Sequence, residues 1–385
     1  MEKYLDVLPM FVDKIRKIRE IIISNIVLIG QIPAPTFHEE RRAECLVERM
    51  AECRVDECAI DDHGNPVAVI RGKTGTQPPI FVVAHLDTFS EVEADQHYTV
   101  TDKIISGIGV SDNSAAVGVL VSLPEIFRCL DLQFDSDIVL VAPIFSLGRG
   151  NLRGIRRLLN KWETPIRGAV CLESIDLGRL NYFSYGMIRG EIVCSIVVEN
   201  NERRRYKPNA ILVINEVINA ILGLRLPQKP RTQIVIGRIS GGFNHGMIAY
   251  DATIGFEIRS DSDDMVKSIY TDIRDIVEGI NKAYDVALKL NRISNLNATR
   301  LRYNHPLIKC ASKVLERLNV EVFSEPSESA VSIFLQREIP AVTLGLTRGE
   351  NFHQDDAMIE IEPMVKGIAQ VPALLMAMDS GVCDE

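Results

Sequence analysis

The chain has 385 residues, 46% hydrophobic and 25% charged, the balance of an ordinary globular protein long enough for two or three domains. Its 52 acidic residues outnumber 43 Lys and Arg, and a formal charge of −9 argues against a surface built to gather nucleic acid or an anionic membrane. The most apolar run, Ile21 to Gly30, contains Ser24 and Asn25 and is too short to span a bilayer; it is expected to be a buried helix end, not a signal peptide.

Eight scattered cysteines without close pairing point to reduced thiols in a cytoplasm, and the nearest pair, Cys53 and Cys58, has no matching Cys or His pair for a structural zinc. Up to about Gly186 short apolar runs (Pro66 to Ile70, Ile80 to Ala84, Ile138 to Ile144, Ala169 to Leu172) alternate with helical patterns (Glu39 to Ala51, Ala115 to Phe127, Asn151 to Lys161). That alternation predicts an α/β layer with a mostly parallel central sheet. Between Arg189 and Asn291 the order becomes strand Glu191 to Val198, helix Asn209 to Leu222, strands Gln233 to Ile239 and Ala252 to Ile258, helix Asp264 to Tyr284 and strand Val286 to Leu290. This βαββαβ order is that of a ferredoxin-like domain. The α/β texture returns with helix Pro306 to Leu318, strand Ala341 to Leu346 and helix Pro363 to Met378. Residues 1–188 and 292–385 are therefore expected to form one discontinuous domain, interrupted by residues 189–291.

Four segments could carry chemistry. His85 and Asp87 follow the run Ile80 to Val83 and, two residues apart in extended chain, can pair so that the carboxylate orients the imidazole. Asp112, in the Gly-rich turn Gly107 to Ala116, stands near a helix N-cap, where a carboxylate stays ionised and can bridge cations. A dinucleotide fingerprint there lacks its third glycine. Glu173 and His353 each follow a strand run. Taken alone, each is equally a strand-end hydrogen-bonding group or a simple cap; together they are a zinc-type donor set at the carboxyl ends of parallel strands. The other histidines (His38, His63, His97, His245, His305) are expected in solvent, as are Arg149, Arg153, Arg156 and Arg157, with Arg203, Arg204 and Arg205 in a loop of the inserted domain.

At this point the chain resembles the M20 peptidases, co-catalytic zinc metallopeptidases with an inserted ferredoxin-like dimerisation domain. The resemblance runs through Ile32 to Glu40, Asp62 to Asn65, the segments around His85 and Asp112, Gly150 to Gly154, Pro230 to Thr232, Gly237 to Gly242, Ile258 to Ser260 and Ile339 to Gly345 with His353. It implies that His85, Asp112 and Glu173 hold one zinc, that Asp112 bridges to a second ion shared with His353, that Asp87 orients His85, and that Arg259 touches a small peptide- or amino-acid-like ligand. It also implies a homodimer through residues 189–291, while the scattered cysteines are what point to a cytoplasmic location.

Departures cluster in the catalytic positions. The family's general-base Glu and a zinc-ligand Glu correspond to Ser146 and Leu147, and its lid His has no counterpart in Glu199 to Tyr206. Two substrate-touching Asn positions are Gly246 and Val331. One zinc ion is therefore expected before two, with other divalent metals open. Two outcomes remain: a non-catalytic or impaired homologue that binds a ligand or partner, or an active metallohydrolase of peptide or amide bonds with a mononuclear or rearranged site, recruiting Asp176 or Glu350.

Overall fold

The computed structural model describes residues 2–90, 96–196, 208–284 and 286–384. The chain divides into two compact units, Met1–Phe183 with Arg300–Glu385, and Ser184–Thr299. The inserted unit reaches beyond 189–291 because its first and last strands stay paired as far as Met187 opposite Leu296.

The first unit is built on a seven-stranded sheet in the order Glu57–Ile60, Pro66–Ile70, Ser136–Val141, Gln77–Val83, Gly168–Ile175, Ala341–Thr347, Leu180–Asn181. Its four central strands, from Ser136–Val141 to Ala341–Thr347, are parallel, whereas the flanking strands pair antiparallel. The central runs are almost uninterrupted β-branched and aliphatic residues because helices cover both faces of the sheet. Ile80 to Val83, Ile138 to Val141 and Val342 to Leu346 are all buried. Among the described residues two segments are long and apolar enough to cross a membrane, Val110–Leu130 (an irregular turn running into a helix) and the helix Ile361–Asp379, and 83% and 78% of their most apolar windows lie inside the structure. Ile21 to Gly30 falls within the helix Arg19–Gly30, whose Ile22, Ile26 and Ile29 are buried.

The parallel strands run their carboxyl ends to one edge of the sheet, where backbone polar groups and connecting loops are free to build a site. A small second sheet adds to the unit: Thr99–Val100, Ile104–Ser106, Met358–Glu360 and Gly349–Glu350. Such two- and three-residue strands are too short to leave a period in the sequence.

The inserted unit follows the expected βαββαβ order. Strands Gly186–Ser195, Thr232–Gly241, Asp251–Ser260 and Ala287–Leu296 form an antiparallel sheet in which Thr232–Gly241 and Ala287–Leu296 are the edges. Helices Ala210–Leu222 and Asp263–Tyr284 close one face, bringing Val213 and Ile273 into one core with Ile192 and Ile254 of the strands. Glu199 to Tyr206, including Arg203, Arg204 and Arg205, lies outside the described residues.

The helix Ile361–Asp379 seats directly on the strand Ala341–Thr347, and Gln370 Nε2 donates to the Gly345 carbonyl at 2.8 Å. At Gly367 the approach is so close that an added Cβ would stand 1.7 Å from the Leu346 carbonyl oxygen. Alanine gains about 1 kcal/mol of helix propensity over glycine, but overpacking against backbone costs about 1–3 kcal/mol or more. Gly367→Ala is therefore expected to lower stability in denaturant unfolding; an unchanged or raised midpoint would show that the helix can lift without loss.

Candidate metal centre

The strand Gln77–Val83 ends just before His85, whose ring is fixed from both sides. Its Nδ1 lies 3.0 Å from the Asp87 backbone carbonyl and 3.5 Å from Asp87 Oδ1, so the closer contact is to the main chain, not the carboxylate. Nδ1–H points at that carbonyl, and Nε2–H donates to Asp112 Oδ1 at 3.1 Å with Glu173 Oε2 at 3.8 Å; a bound cation would take the place of the Nε2 proton and meet its lone pair.

Asp112 does not cap a helix as expected. It sits in an irregular turn, Val110–Ser114, with extended φ −156° and ψ 88°, ahead of the helix Ala115–Leu130. The turn leaves the carboxylate free to face two imidazoles: Oδ1 meets His85, and Oδ2 lies 2.7 Å from His353 Nε2. Gly109 opens this turn in the left-handed region at φ 73°, packed so closely on Thr88 that a Cβ would stand 2.9 Å from its methyl. Next to Asp112, the buried Asn113 amide donates to Leu172 O at 2.9 Å and accepts from Ser174 N–H at 2.8 Å. Those two residues flank Glu173, so one amide sets the register between both carboxylates. Glu173 lies within the strand Gly168–Ile175 and not beyond its end.

Burial opposes the charge on Asp112, but hydrogen bonds from His353 and His85 and their positive charge outweigh it and hold its pKa below the ordinary range. For His85, burial likewise works against the cation, yet Asp112, Asp87 and Glu173 raise its pKa well above normal. Glu173 is pushed up to about 7 by burial, with Asp112 adding repulsion and His85 opposing it. Two buried carboxylates facing one imidazole nitrogen make a donor set suited to a cation.

The metal-binding atoms of His85, Asp112 and Glu173 all lie within 4.8 Å of one another. Donors around a tetrahedral zinc at about 2.0–2.1 Å stand about 3.3 Å apart. The separations of 3.1 and 3.8 Å from His85 Nε2 bracket that value, so the residues present fit a divalent ion. No further Cys, His, Asp or Glu joins the group among the described residues, and Asp176 is instead paired with Arg179 at 3.2 Å. His353, 40% exposed in its side chain, is stacked by Phe352 and Phe89 and reaches only Asp112.

Ser146 and Leu147 occupy a loop tied down through its backbone. Ser146 N–H and Leu147 N–H donate to Asp87 Oδ2 at 2.9 and 2.8 Å, Thr36 Oγ1 donates to the same oxygen at 2.9 Å, and Phe145 N–H donates to Glu39 Oε1 at 2.8 Å. The buried Ser146 hydroxyl donates to the Pro143 carbonyl at 3.3 Å. Beside the loop, Arg153 packs over Phe37 and Phe145, and Arg156 is half-buried and donates to Asn151 O; only Arg149 and Arg157 of that cluster are exposed.

A second fully buried charge holds the other segments together. Arg42, 0% exposed, donates to the carbonyls of Ile32 (2.7 Å), Leu86 (3.1 Å) and Gly30 (3.1 Å), to Ser114 Oγ (3.1 Å) and to Gln96 Oε1 (3.5 Å). Burial lowers its pKa to about 10, so it stays charged. Arg42, Glu39, Thr36 and Asn113 were not singled out from sequence, where nothing separates a buried Arg or Glu from the many exposed ones. His305 also departs from expectation: it is 4% exposed, and its Nδ1 accepts from Leu307 N–H at the start of the helix Pro306–Arg317. In the inserted unit Arg259 and Arg189 share the buried carboxylate of Glu257.

Comparison with known proteins agrees with this architecture. The peptidase dimerisation domain of the M20 type matches residues 190–285. No curated protein sequence matches the chain at a significant level. Among solved structures, the dipeptidase Dug1p of Saccharomyces cerevisiae superposes with a TM-score of 0.80 at 12% identity over 97% of this chain and 98% of that one. An M20 family metallo-carboxypeptidase of Sulfolobus solfataricus gives 0.72 at 12% over 93% and 99%. The YXEP protein of Bacillus subtilis, a dinuclear metal-binding peptidase of the M20 family, gives 0.63 at 15% over 94% and 98%. The fold is that of a metallopeptidase with an inserted second domain. More particularly, it is the fold of these M20 peptidases, and residues 190–285 within the insert match the M20 peptidase dimerisation domain.

Glu39 offers a test of the electrostatics around the loop. Burial, its largest cause, and the nearby Asp87 push its pKa up to about 7 from 4.5, against the Phe145 hydrogen bond, and nothing described hydrogen-bonds its Oε2. The folded protein thus retains a proton that the unfolded chain releases near pH 4.5, so stability declines as pH rises from 4.5 through 7. Glu39→Gln keeps an acceptor for Phe145 and removes that slope. Relative to wild type, the variant is expected to gain on the order of 2 kcal/mol between pH 5 and pH 8 in denaturant unfolding; a difference constant across that range would rule out the raised pKa.

Proposed function

We propose that the protein is a homodimeric M20-type metalloprotein that binds one zinc ion per chain through His85, Asp112 and Glu173 and a small peptide- or amino-acid-like ligand beside it, with peptide hydrolysis impaired. The observation that carries this is the loop Phe145 to Leu147. Its backbone is clamped by Asp87 and Glu39, so Ser146 and Leu147 hold the ground where the resemblance expects two glutamates, and no other carboxylate joins the triad among the described residues.

The chain's own groups have separable tasks. His85 supplies a neutral nitrogen, with its tautomer fixed by the Asp87 carbonyl; Asp112 and Glu173 supply charge, and Asn113 holds their spacing. A divalent ion held there would supply Lewis-acid polarisation of a ligand carbonyl. Ser146, its hydroxyl turned to the Pro143 carbonyl, cannot take a proton near neutral pH, and loss of a positioned base costs about 10²- to 10⁴-fold in rate. Leu147 offers no lone pair to a second ion, leaving Asp112 Oδ2 and His353 for it. Arg259 is assigned to ligand contact by the resemblance, and its guanidinium pairs with Glu257.

A second reading, a mononuclear hydrolase of amide bonds, is favoured by the intact triad and by the Asp112 carboxylate, whose two oxygens face two different imidazoles. Elemental mass spectrometry on zinc-loaded, desalted protein separates the two when combined with restoration of the missing carboxylates. Wild type is expected to hold one ion and to turn over dipeptides weakly or not at all. Ser146→Glu with Leu147→Glu is expected to hold two and to gain about 10²-fold or more in turnover. Two ions in wild type, with turnover that the double variant does not improve, would sink the impaired reading.

The dimer is supported by the inserted unit's own surface. The edge strand Thr232–Gly241 exposes Val235 and Ile239, Phe243 beyond it is 93% exposed, and the helix Ala210–Leu222 exposes Ile211, Leu212 and Leu222. An unpaired edge strand beside exposed aliphatic side chains is a template for a second copy. Light scattering is expected to give twice the chain mass for wild type and one chain mass for Ile239→Asp with Phe243→Asp; a monomeric wild type would refute the proposal.

A further inference from the structure

At the opposite end of the parallel strands from the metal centre, two cysteines meet that are far apart in sequence. Cys310 lies in the helix Pro306–Arg317, and Cys383 lies beyond the end of the helix Ile361–Asp379. Both are 5% exposed, and their thiols are hydrogen-bonded to each other, with Cys310 Sγ also 3.9 Å from the Val382 carbonyl. A cavity of about 420 Å³ opens onto Cys383. Cys383 forms part of its wall, together with Gln77, Arg167, His305, Met378 and Asp384.

A disulfide forms by rotation of the two side chains until the sulfurs meet, and thiols that already share a proton start from contact. The hydrogen bond from Cys383 outweighs burial and lowers the Cys310 pKa to about 7, while Cys383, as donor, is held above its usual range. One thiol of the pair is thus partly ionised at neutral pH, which is the form that exchanges.

We propose that Cys310 and Cys383 form a thiol–disulfide exchange site, oxidised by low-molecular-weight organic disulfides that enter through this cavity, and that the bond staples the C-terminal segment to the helix Pro306–Arg317. The Cys383 sulfur, which faces the cavity, attacks one sulfur of the small disulfide as its proton passes to the Cys310 thiolate along their hydrogen bond. The disulfide's S–S bond breaks, and one small thiolate leaves and takes up a proton. Cys310, giving up its proton to solvent, then attacks the Cys383 sulfur and expels the second small thiolate. Two protein thiols are oxidised and one disulfide is reduced to two thiols.

Closing a loop of about 70 residues restricts the unfolded chain enough to raise the melting temperature by about 5 °C. The test uses the full chain incubated with oxidised glutathione, then alkylated and mapped by peptide mass spectrometry. A Cys310–Cys383 linked peptide is expected, reversed by dithiothreitol, with the melting temperature raised only in the oxidised form. Its presence before incubation and loss on reduction counts as the same result. Cys310→Ser is expected to stop at a single glutathione adduct on Cys383. The proposal is overturned if Cys310 and Cys383 stay fully alkylatable in folded wild type after incubation, or if the linked peptides join other cysteines. The wild-type mapping stands whether or not the variant folds.

Discussion

The guanidinium of Arg42 is the constraint on which the candidate site depends. A fully buried cation is tolerated only when its donors are met, and here they are met almost entirely by main-chain carbonyls and short polar side chains. Leu86 O belongs to the residue between His85 and Asp87, and Ser114 Oγ lies two positions after Asp112. Gly30 and Ile32 belong to the end of the helix Arg19–Gly30 and the chain leaving it. One planar, rigid fork therefore fixes the distance between the two segments that carry His85 and Asp112. A lysine, with a single point of charge, could not span the same acceptors.

Around that staple the site is positioned by amides and carbonyls more than by charged pairs. Asn113 spans Leu172 and Ser174, the Asp87 carbonyl orients His85, and the Asp87 carboxylate collects donors from Thr36, Ser146 and Leu147. The electrostatic result is a compact negative well. Its carboxylates stay close because Asn113 ties together the segments that carry them, and their pKa values move apart for different reasons: His353 and His85 hold Asp112 below its usual range, whereas burial pushes Glu173 above.

Much of this architecture was legible in the sequence, for identifiable reasons. The buried parallel strands are near-continuous apolar runs, and the inserted unit keeps a clear two-residue or helical period in each element, so both units could be read before any coordinates. The grouping of His85, Asp112 and Glu173 was legible because His85 and Glu173 follow apolar strand runs and Asp112 sits in a Gly-rich turn before an apolar helix. What could not be read depends on contacts between distant segments. The irregular turn that turns Asp112 away from a capping role is one example. Others are the burial of Arg42 and Glu39, the capping role of His305, and the packing of Arg153 on Phe37 and Phe145. The short strands near residues 99–106 and 349–360 carry no period at all.

The clamp on the loop Phe145 to Leu147 has an evolutionary consequence. Because the hydrogen bonds that clamp the loop to Asp87 and Glu39 are made by main-chain N–H groups, that clamp does not depend on which side chains the loop displays. Mutations at residues 146 and 147 can thus accumulate without being filtered by foldability, and selection sees them only through chemistry. A lineage carrying such a loop can drift away from a catalytic repertoire, persist as a stable binding protein, and drift back, with every intermediate still folded.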